Sequence, residues 1–374
     1  MTRPADDASS RLAHALAALY ALAILYASVQ PFGDLLAPLP GTAFWLLAPG
    51  PSRVPRADIV TNTLSYLPFG LFAALVPHRA GFLTRAATAT LAGAALSFGM
   101  ETLQWYLPPR HANRVDFVAN TVGTLVGAVV GALYARSPLR TAAREARRQL
   151  ALPGAIGDVG LALVAMWLVA QINPAIPPFA LTFDPDPVAA LRAVAVERDG
   201  AALLIEAAQS AFQLLGVGLF AALLARDRSY AGGAVLLAVG AALLIKGVAA
   251  TLLLKPDAVV TWLTPGAMSG VAAGALLLAP ALLLPRPAQV ALCAIALLSS
   301  LLTPMLTPEL LFALPPLTLF NWRFGHLLSF NGLTRIIVVA WPLAAAAWLF
   351  ALAGRPAWGR ADHPPPPARE PDPL

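Results

Sequence analysis

Ten long apolar runs leave this 374-residue chain few ways to fold. They lie near residues 12–29, 59–76, 86–107, 115–134, 156–172, 203–225, 231–254, 260–284, 288–312 and 334–353. Most approach the roughly 20 apolar residues that cross a hydrocarbon core. Lipid offers no partner for backbone N–H and C=O groups, so such runs close their hydrogen bonds internally as helices. They are continuous rather than alternating, which argues against a barrel. With 58% hydrophobic and 12% charged residues, and a mean hydropathy of +0.71, the composition is that of a membrane protein. The expected fold is an all-α, polytopic transmembrane bundle of about ten helices. The first run lacks a small-x-small cleavage site and reads as a retained helix.

Positive charge sets the expected orientation. With the N-terminus inside, cytoplasmic segments hold 15 Lys/Arg residues against 9 outside, Lys246 lying within a helix. Arg136, Arg140, Arg144, Arg147 and Arg148 fall in one connection and weigh most, so both termini are expected in the cytoplasm. The net charge of +6 is then a topology signal with some affinity for anionic lipid heads. A nucleic-acid partner would need a soluble basic surface, which the sequence lacks.

Against this apolar background, polar residues cluster three times. Asp58 with Asn62, Glu101 with Gln104, and Arg114 with Asp116 and Asn120 lie at or just inside the ends of runs two, three and four. Ionisable groups at such positions are costly and mark sites or partners. Each pair is spaced i,i+3 or i,i+4 and so shares a helix face. The expected topology brings all three to the outer leaflet, as a polar mouth on a tight three-helix unit. Gly123, Gly127 and Gly131 continue the Asp116–Asn120 face as a small-residue seam for close backbone approach. Pro68 and Gly70 of helix two are also read as helix-packing positions. Read alone, each pair is also a helix cap or interhelical glue. Together, with Arg53, Arg56, Arg110 and Arg114 beside them, they read as a ligand site in which guanidinium groups grip phosphate.

Other chemistry finds little support. The three acids are oxygen ligands suited to a hard cation, but their spacing is not diagnostic, and no metal or cofactor is expected. Ser65 and Ser97 have no histidine partner, His111 reads as solvated, and no phosphate loop appears. Cys293, the single cysteine, reads as inert packing.

The order Asp-x3-Asn-x5-Pro-Phe-Gly, then Glu-x2-Gln, then Arg-x-Asp-x3-Asn-x2-Gly-x3-Gly resembles the VanZ-like family of bacterial membrane proteins. The resemblance covers about residues 12–135 and includes Tyr26, Ser28, Val29, Pro31 and Phe32 at the end of the first helix. It implies an integral protein of the bacterial cytoplasmic membrane whose namesake lowers susceptibility to teicoplanin. It implies no defined biochemical activity, and resistance itself is not carried over.

Later segments echo the first. Leu67–Leu75 returns as Leu215–Leu223, Gly93–Leu96 as Gly240–Leu243, and Gly123 and Gly127 as Gly270 and Gly274. These shifts of 147–148 suggest a degenerate parallel repeat in a 4+4+2 arrangement. The expected divisions are 1–150, 151–285, a helix pair at 286–355, and a disordered cytoplasmic tail at 356–374. In that alignment Glu206 stands for Asp58, while Val248 and Ala267 replace Glu101 and Asn120, leaving the chemistry to the first copy. A Glu206–Lys246 pair and a snorkelling Lys246 are both open. Segments 173–202 and 313–333 read as external and interfacial.

Three functions follow. The leading one is an accessory envelope factor whose mouth binds a membrane lipid head group, a lipid-linked envelope precursor or an amphiphilic antibiotic. A lipid or small-solute transporter or flippase is the second, although the inner halves of helices two to four are apolar. The third is an enzyme acting on a lipid-linked substrate with Glu101 or Asp116 as general base.

Overall fold

The computed structural model describes residues 4–29, 34–38, 41–48, 56–76, 80–108, 111–174, 179, 200–306 and 324–355, with backbone only at 4–12, 56–57, 304, 324–333 and 335. Arg53, Arg110, the side chains of Arg56, Arg323 and His326, most of segments 173–202 and 313–333, and the 356–374 tail lie outside the described residues.

The described residues form helices and no sheet. In chain order these are α1 (Pro4–Val29), α2 (Arg56–Leu75), α3 (Phe82–Trp105), α4 (Arg114–Arg136), α5 (Pro138–Leu150), α6 (Gly154–Ala170), α7 (Gly200–Leu224), α8 (Ala231–Leu253), α9 (Pro265–Ala281), α10 (Arg286–Leu306) and α11 (Phe324–Ala353). Each apolar run has its helix. The addition is α5, a polar helix where a basic connection was expected. α4, α7, α8, α10 and the 336–353 part of α11 are long and apolar enough to cross a membrane, and Ala13–Val29, α6 and α9 are shorter apolar helices. Exposed leucines such as Leu91, Leu133, Leu236, Leu244 and Leu276 face outward from these helices, as lipid contact requires and water would penalise.

The chain divides into two compact units. Unit 1 comprises Met1–Leu150 with Phe320–Ile336, and unit 2 comprises Ala151–Leu319 with Ile337–Leu374.

Unit 1 is built around α2 against α4. The carbonyls of Thr63, Leu67 and Leu71 on α2 rest on Gly123, Gly127 and Gly131 of α4, and the Thr124 carbonyl rests on Gly70 in return. A Cβ at Gly131 would stand 2.6 Å from Leu71 O, and at the other three glycines the overlap would be worse. Small residues thus let backbone meet backbone where lipid gives helices no hydrophobic reason to associate. Pro68 lies inside α2. Its missing N–H leaves the preceding turn one bond short. α3 covers this pair, with Gly93 against the Thr124 side chain. α1 packs through Ile24 onto Tyr66 and Phe69, and Tyr20 Oη donates to Ser65 O at 3.0 Å.

Unit 2 wraps around α7, whose residues from Gln209 to Leu224 are almost all buried. Such a helix, apolar on every side, belongs at the centre of a bundle. Trp341 and Trp348 of α11 bury their rings near Phe220. Their indole N–H groups donate to Leu163 O and Ile156 O of α6, both at 2.7 Å. α9 meets α7 by the device seen in unit 1, with the Ala207 and Ala211 carbonyls on Gly270 and Gly274.

The two seams can be compared through the carbonyl each glycine receives. Gly123 receives Thr63 O where Gly270 receives Ala207 O, a match that sets Glu206 beside Asn62 rather than the Asp58 of the expected repeat. The helix-two equivalents are offset by one turn from the position given by sequence similarity. The Glu206 carboxylate accepts from Thr264 Oγ1 at the N-cap of α9. Lys246 does not snorkel: it is buried, and its Nζ donates to Asn173 O at 2.9 Å. Cys293 is buried with Sγ on Gly216 O.

Candidate functional site

α2 and α4 begin, and α3 ends, at the same end of unit 1. The sequence Asn113-Arg114-Val115-Asp116 starts α4 with an Asn N-cap, a residue whose side chain replaces the missing intrahelical acceptor. Asn113 Oδ1 accepts from Val115 N at 2.9 Å and Asp116 N at 3.0 Å. The same residue ties two acids together. Its backbone N–H donates to Glu101 Oε2 at 2.9 Å, and its Nδ2 donates to Asp116 Oδ2 at 2.6 Å. Asn62 of α2 closes the group by donating Nδ2 to Asp116 Oδ1 at 2.7 Å. Glu101, Asp116 and Asn62 therefore converge from three helices, with Asp116 in the first turn of α4, where the helix dipole favours negative charge.

Beneath this layer lies a second. Asn120, one turn below Asp116, donates Nδ2 to Ser97 Oγ at 3.0 Å, and Thr124 Oγ1 returns to Asn120 O at 2.9 Å. Tyr66 of α2 turns its hydroxyl toward Ser97 and Glu101. Tyr66 is 4% exposed, Glu101 3% and Asn120 5%. Two buried atoms here, Tyr66 Oη and Asn120 Oδ1, complete no hydrogen bond. Buried polar atoms are rarely left so. Below Thr124 the interior closes over Ala74, Ala89 and Ala128.

The other sequence candidates are placed differently. Gln104 turns away from the acids and donates Nε2 to Ser28 O at 3.0 Å, tying α3 to the end of α1. Asp58 stands one turn before Asn62 on α2 and is half-buried. Arg114 is exposed, and no hydrogen bond to Glu101 or Asp116 is formed by it among the described residues. The other guanidinium groups expected beside the acids, those of Arg53, Arg56 and Arg110, lie outside the described residues. His111 is exposed, as expected.

Sequence reading missed Asn113, Tyr66 and Ser97. Asn113 was detectable as an N-cap three residues before an acid. Tyr66 and Ser97 carry no sequence signal within their apolar runs. Also missed was an aromatic cover from the α1–α2 connection. Trp45, 2% exposed, donates Nε1 to Thr102 Oγ1 at 3.2 Å. Its ring lies 5.5 Å from Phe98 and 5.9 Å from Phe117. Leu36 N donates to Tyr106 O at 2.9 Å. These contacts fix parts of the connection against the α3 end that bears Glu101. No group of three or more His, Cys, Asp or Glu suited to a metal ion occurs among the described residues.

Described residues that are helical throughout, with several apolar helices and a polar cluster at one helix end, define a membrane protein. Residues 12–135 match the family model described as VanZ/LLP1, in agreement with the resemblance carried by the Asp58–Gly127 pattern. The matched segment runs from within α1 to one residue short of the end of α4, and holds Asn62, Glu101, Asn113, Asp116 and Asn120. No curated protein and no solved structure matches the chain.

Proposed function

We propose that the N-terminal unit is an accessory factor of the cell envelope, binding a lipid head group, a lipid-linked precursor or an amphiphilic antibiotic in a pocket at its outer-leaflet end. The supporting observation is the convergence of Glu101, Asp116, Asn62 and Asn113 from three directions, above two buried polar atoms still without partners. Orientation rests on charge: the five arginines between 136 and 148 hold the opposite end of unit 1 in the cytoplasm, so the acids face outward in a bacterial cytoplasmic membrane, with both termini inside.

Two carboxylates and two amides suit a ligand that offers ammonium or hydroxyl donors. The transport reading is weaker. Beneath Asn120 and Thr124 the α2–α4 seam is closed by carbonyls on glycines, which leaves no polar path through this helix pair. In the same reading unit 2 is a degenerate copy that repeats the glycine seam and serves as scaffold.

The test is native mass spectrometry of the full chain purified in mild detergent, wild type beside Glu101→Gln. Glutamine preserves an acceptor for Asn113 N–H and removes only the charge. A discrete lipid or precursor adduct should accompany the wild type and fall about tenfold or more in the variant, the effect of losing one charge-assisted contact. Identical adduct profiles from two equally monodisperse proteins would remove the reading.

A further inference from the structure

α2, α3 and α4 meet in rungs one helical turn apart, and the rungs differ in how fully their polar groups are matched. In the top rung Asn62 donates to Asp116 at 2.7 Å, and Glu101 accepts from Asn113 N at 2.9 Å. The bottom rung joins Gly70, Gly93 and Thr124. Gly70 lies on the Thr124 carbonyl and Gly93 on its side chain, each so closely that a Cβ would overlap. Midway between the two, four residues from either on all three helices, stand Tyr66, Ser97 and Asn120. A four-residue step is about 6 Å along a helix and keeps the same face. The contacts above and below therefore hold these three residues at one level.

The middle rung is incomplete. Asn120 Nδ2 donates to Ser97 Oγ at 3.0 Å, while Asn120 Oδ1 and Tyr66 Oη are buried and bond to nothing among the described residues. One turn above, Glu101 is 3% exposed. Asn113 N–H fills one of the roughly four acceptor sites of that carboxylate, and no Lys or Arg pairs with it among the described residues. A buried carboxylate without a cation is costly in a membrane, and buried polar atoms are rarely left without partners. A trapped water would partner the amide and the hydroxyl but bring no charge to Glu101.

We propose, resting on the reading of the acid mouth as a head-group site, that its ligand is the primary ammonium of an aminoethyl phospholipid. An –NH3+ group has three donors, one each for Glu101, Asn120 Oδ1 and Tyr66 Oη. A nitrogen at about 2.9 Å from acceptors on both sides spans the step between the two rungs. A trimethylammonium carries the same charge without a donor and would press methyl groups against the same polar atoms. Asn62 and Asp116 are half-buried whereas Tyr66 and Asn120 are buried, so the site is reached from the top rung. A lipid is favoured over a soluble amine by what flanks the rungs. Val60 and Leu64 of α2 and Val118 and Val122 of α4 are exposed, and they offer acyl chains an apolar surface at the same depth.

Native mass spectrometry of the full chain, titrated with phosphatidylethanolamine, its N-methyl and N,N-dimethyl forms and phosphatidylcholine, tests the proposal. The series holds the charge constant while N–H donors are removed one by one. The wild type should bind phosphatidylethanolamine about tenfold or more tightly than phosphatidylcholine, with a stepwise fall between them. Tyr66→Phe removes an atom without a partner in the free protein, so the variant should be as stable as the wild type yet lose about threefold or more of the preference. Equal binding of the four lipids by the wild type would overturn the proposal, as would an undiminished preference in Tyr66→Phe. If that variant is not monodisperse, the wild-type series decides. Glu101→Gln separates two kinds of failure. Four lipids that bind alike and all weaken in that variant would remove the ammonium assignment and leave a head-group site. Four that bind alike and ignore the substitution would remove the head-group reading as well. Displacement of phosphatidylethanolamine by equimolar ethanolamine would overturn the lipid assignment and leave a simple amine site.

Discussion

Replacing Gly127 with valine should prevent unit 1 from assembling. The Leu67 carbonyl of α2 sits where the new Cβ would be, and Leu71 N lies 3.0 Å from the same point. Both neighbours are backbone, so no rotamer change relieves the overlap and the helices must separate. Separation also undoes the contacts of Gly123 and Gly131 along the same seam, and it carries Asn62 away from Asp116. Overpacking of a well-fitted interface costs about 1–3 kcal/mol, and with an unyielding backbone on both sides the upper end applies. Gly99→Val is the control, since a Cβ on that glycine of α3 meets nothing within 4 Å. Size-exclusion profiles and thermal midpoints in detergent should show Gly127→Val aggregated or strongly destabilised and Gly99→Val close to wild type. Equal stability of the two variants would contradict the seam.

Asp116→Ala should have the largest effect within the mouth. It removes the acceptor of both Asn62 and Asn113, two bonds to a charged group worth about 1.5–3 kcal/mol each net of exchange with water. The first turn of α4 keeps its cap through Asn113 Oδ1, so insertion and overall fold should survive while the mouth loosens. The side-chain coupling can be isolated with Asn62→Ala in a double-mutant cycle. A coupling of about 1–2 kcal/mol is expected for residues in direct contact. Additive effects of the two substitutions would mean that α2 and α4 do not share this site.

The elements visible in the sequence are those governed by local periodicity. Ten helices follow from apolar run length, and the seam of Gly123, Gly127 and Gly131 follows from four-residue spacing and small size. The convergence of Asn62, Glu101 and Asp116 was legible because each lies at a helix end and the helices alternate in direction.

What was not legible depends on the order of contacts in three dimensions. Gln104 shares a face with Glu101 by spacing, yet its longer amide reaches back to Ser28 O. Arg114 is two residues from Asp116, but i,i+2 positions point to different sides of a helix, and it turns outward. Ser97 and Tyr66 are unremarkable within apolar runs and acquire meaning only from the helices packed against them. Glu206 aligned with Asp58 by similarity, but a glycine seam admits carbonyls at every turn, and the register of α7 differs by one. α5 is not legible because its four arginines, with Arg136 before it, read as a charge signal alone, while its apolar stripe is mostly alanine.

The claim on which the rest depends is that the acid-bearing end of unit 1 opens to the outside of the cell. Cysteine accessibility measures it, and the native background should be silent because Cys293 is buried. His111→Cys, in the exposed connection beside Asn113, and Thr141→Cys, on an exposed side of α5, would be treated in intact cells with a membrane-impermeant maleimide. The account predicts labelling of His111→Cys at once and of Thr141→Cys only after the membrane is permeabilised. Labelling of Thr141→Cys in intact cells with His111→Cys protected would contradict it.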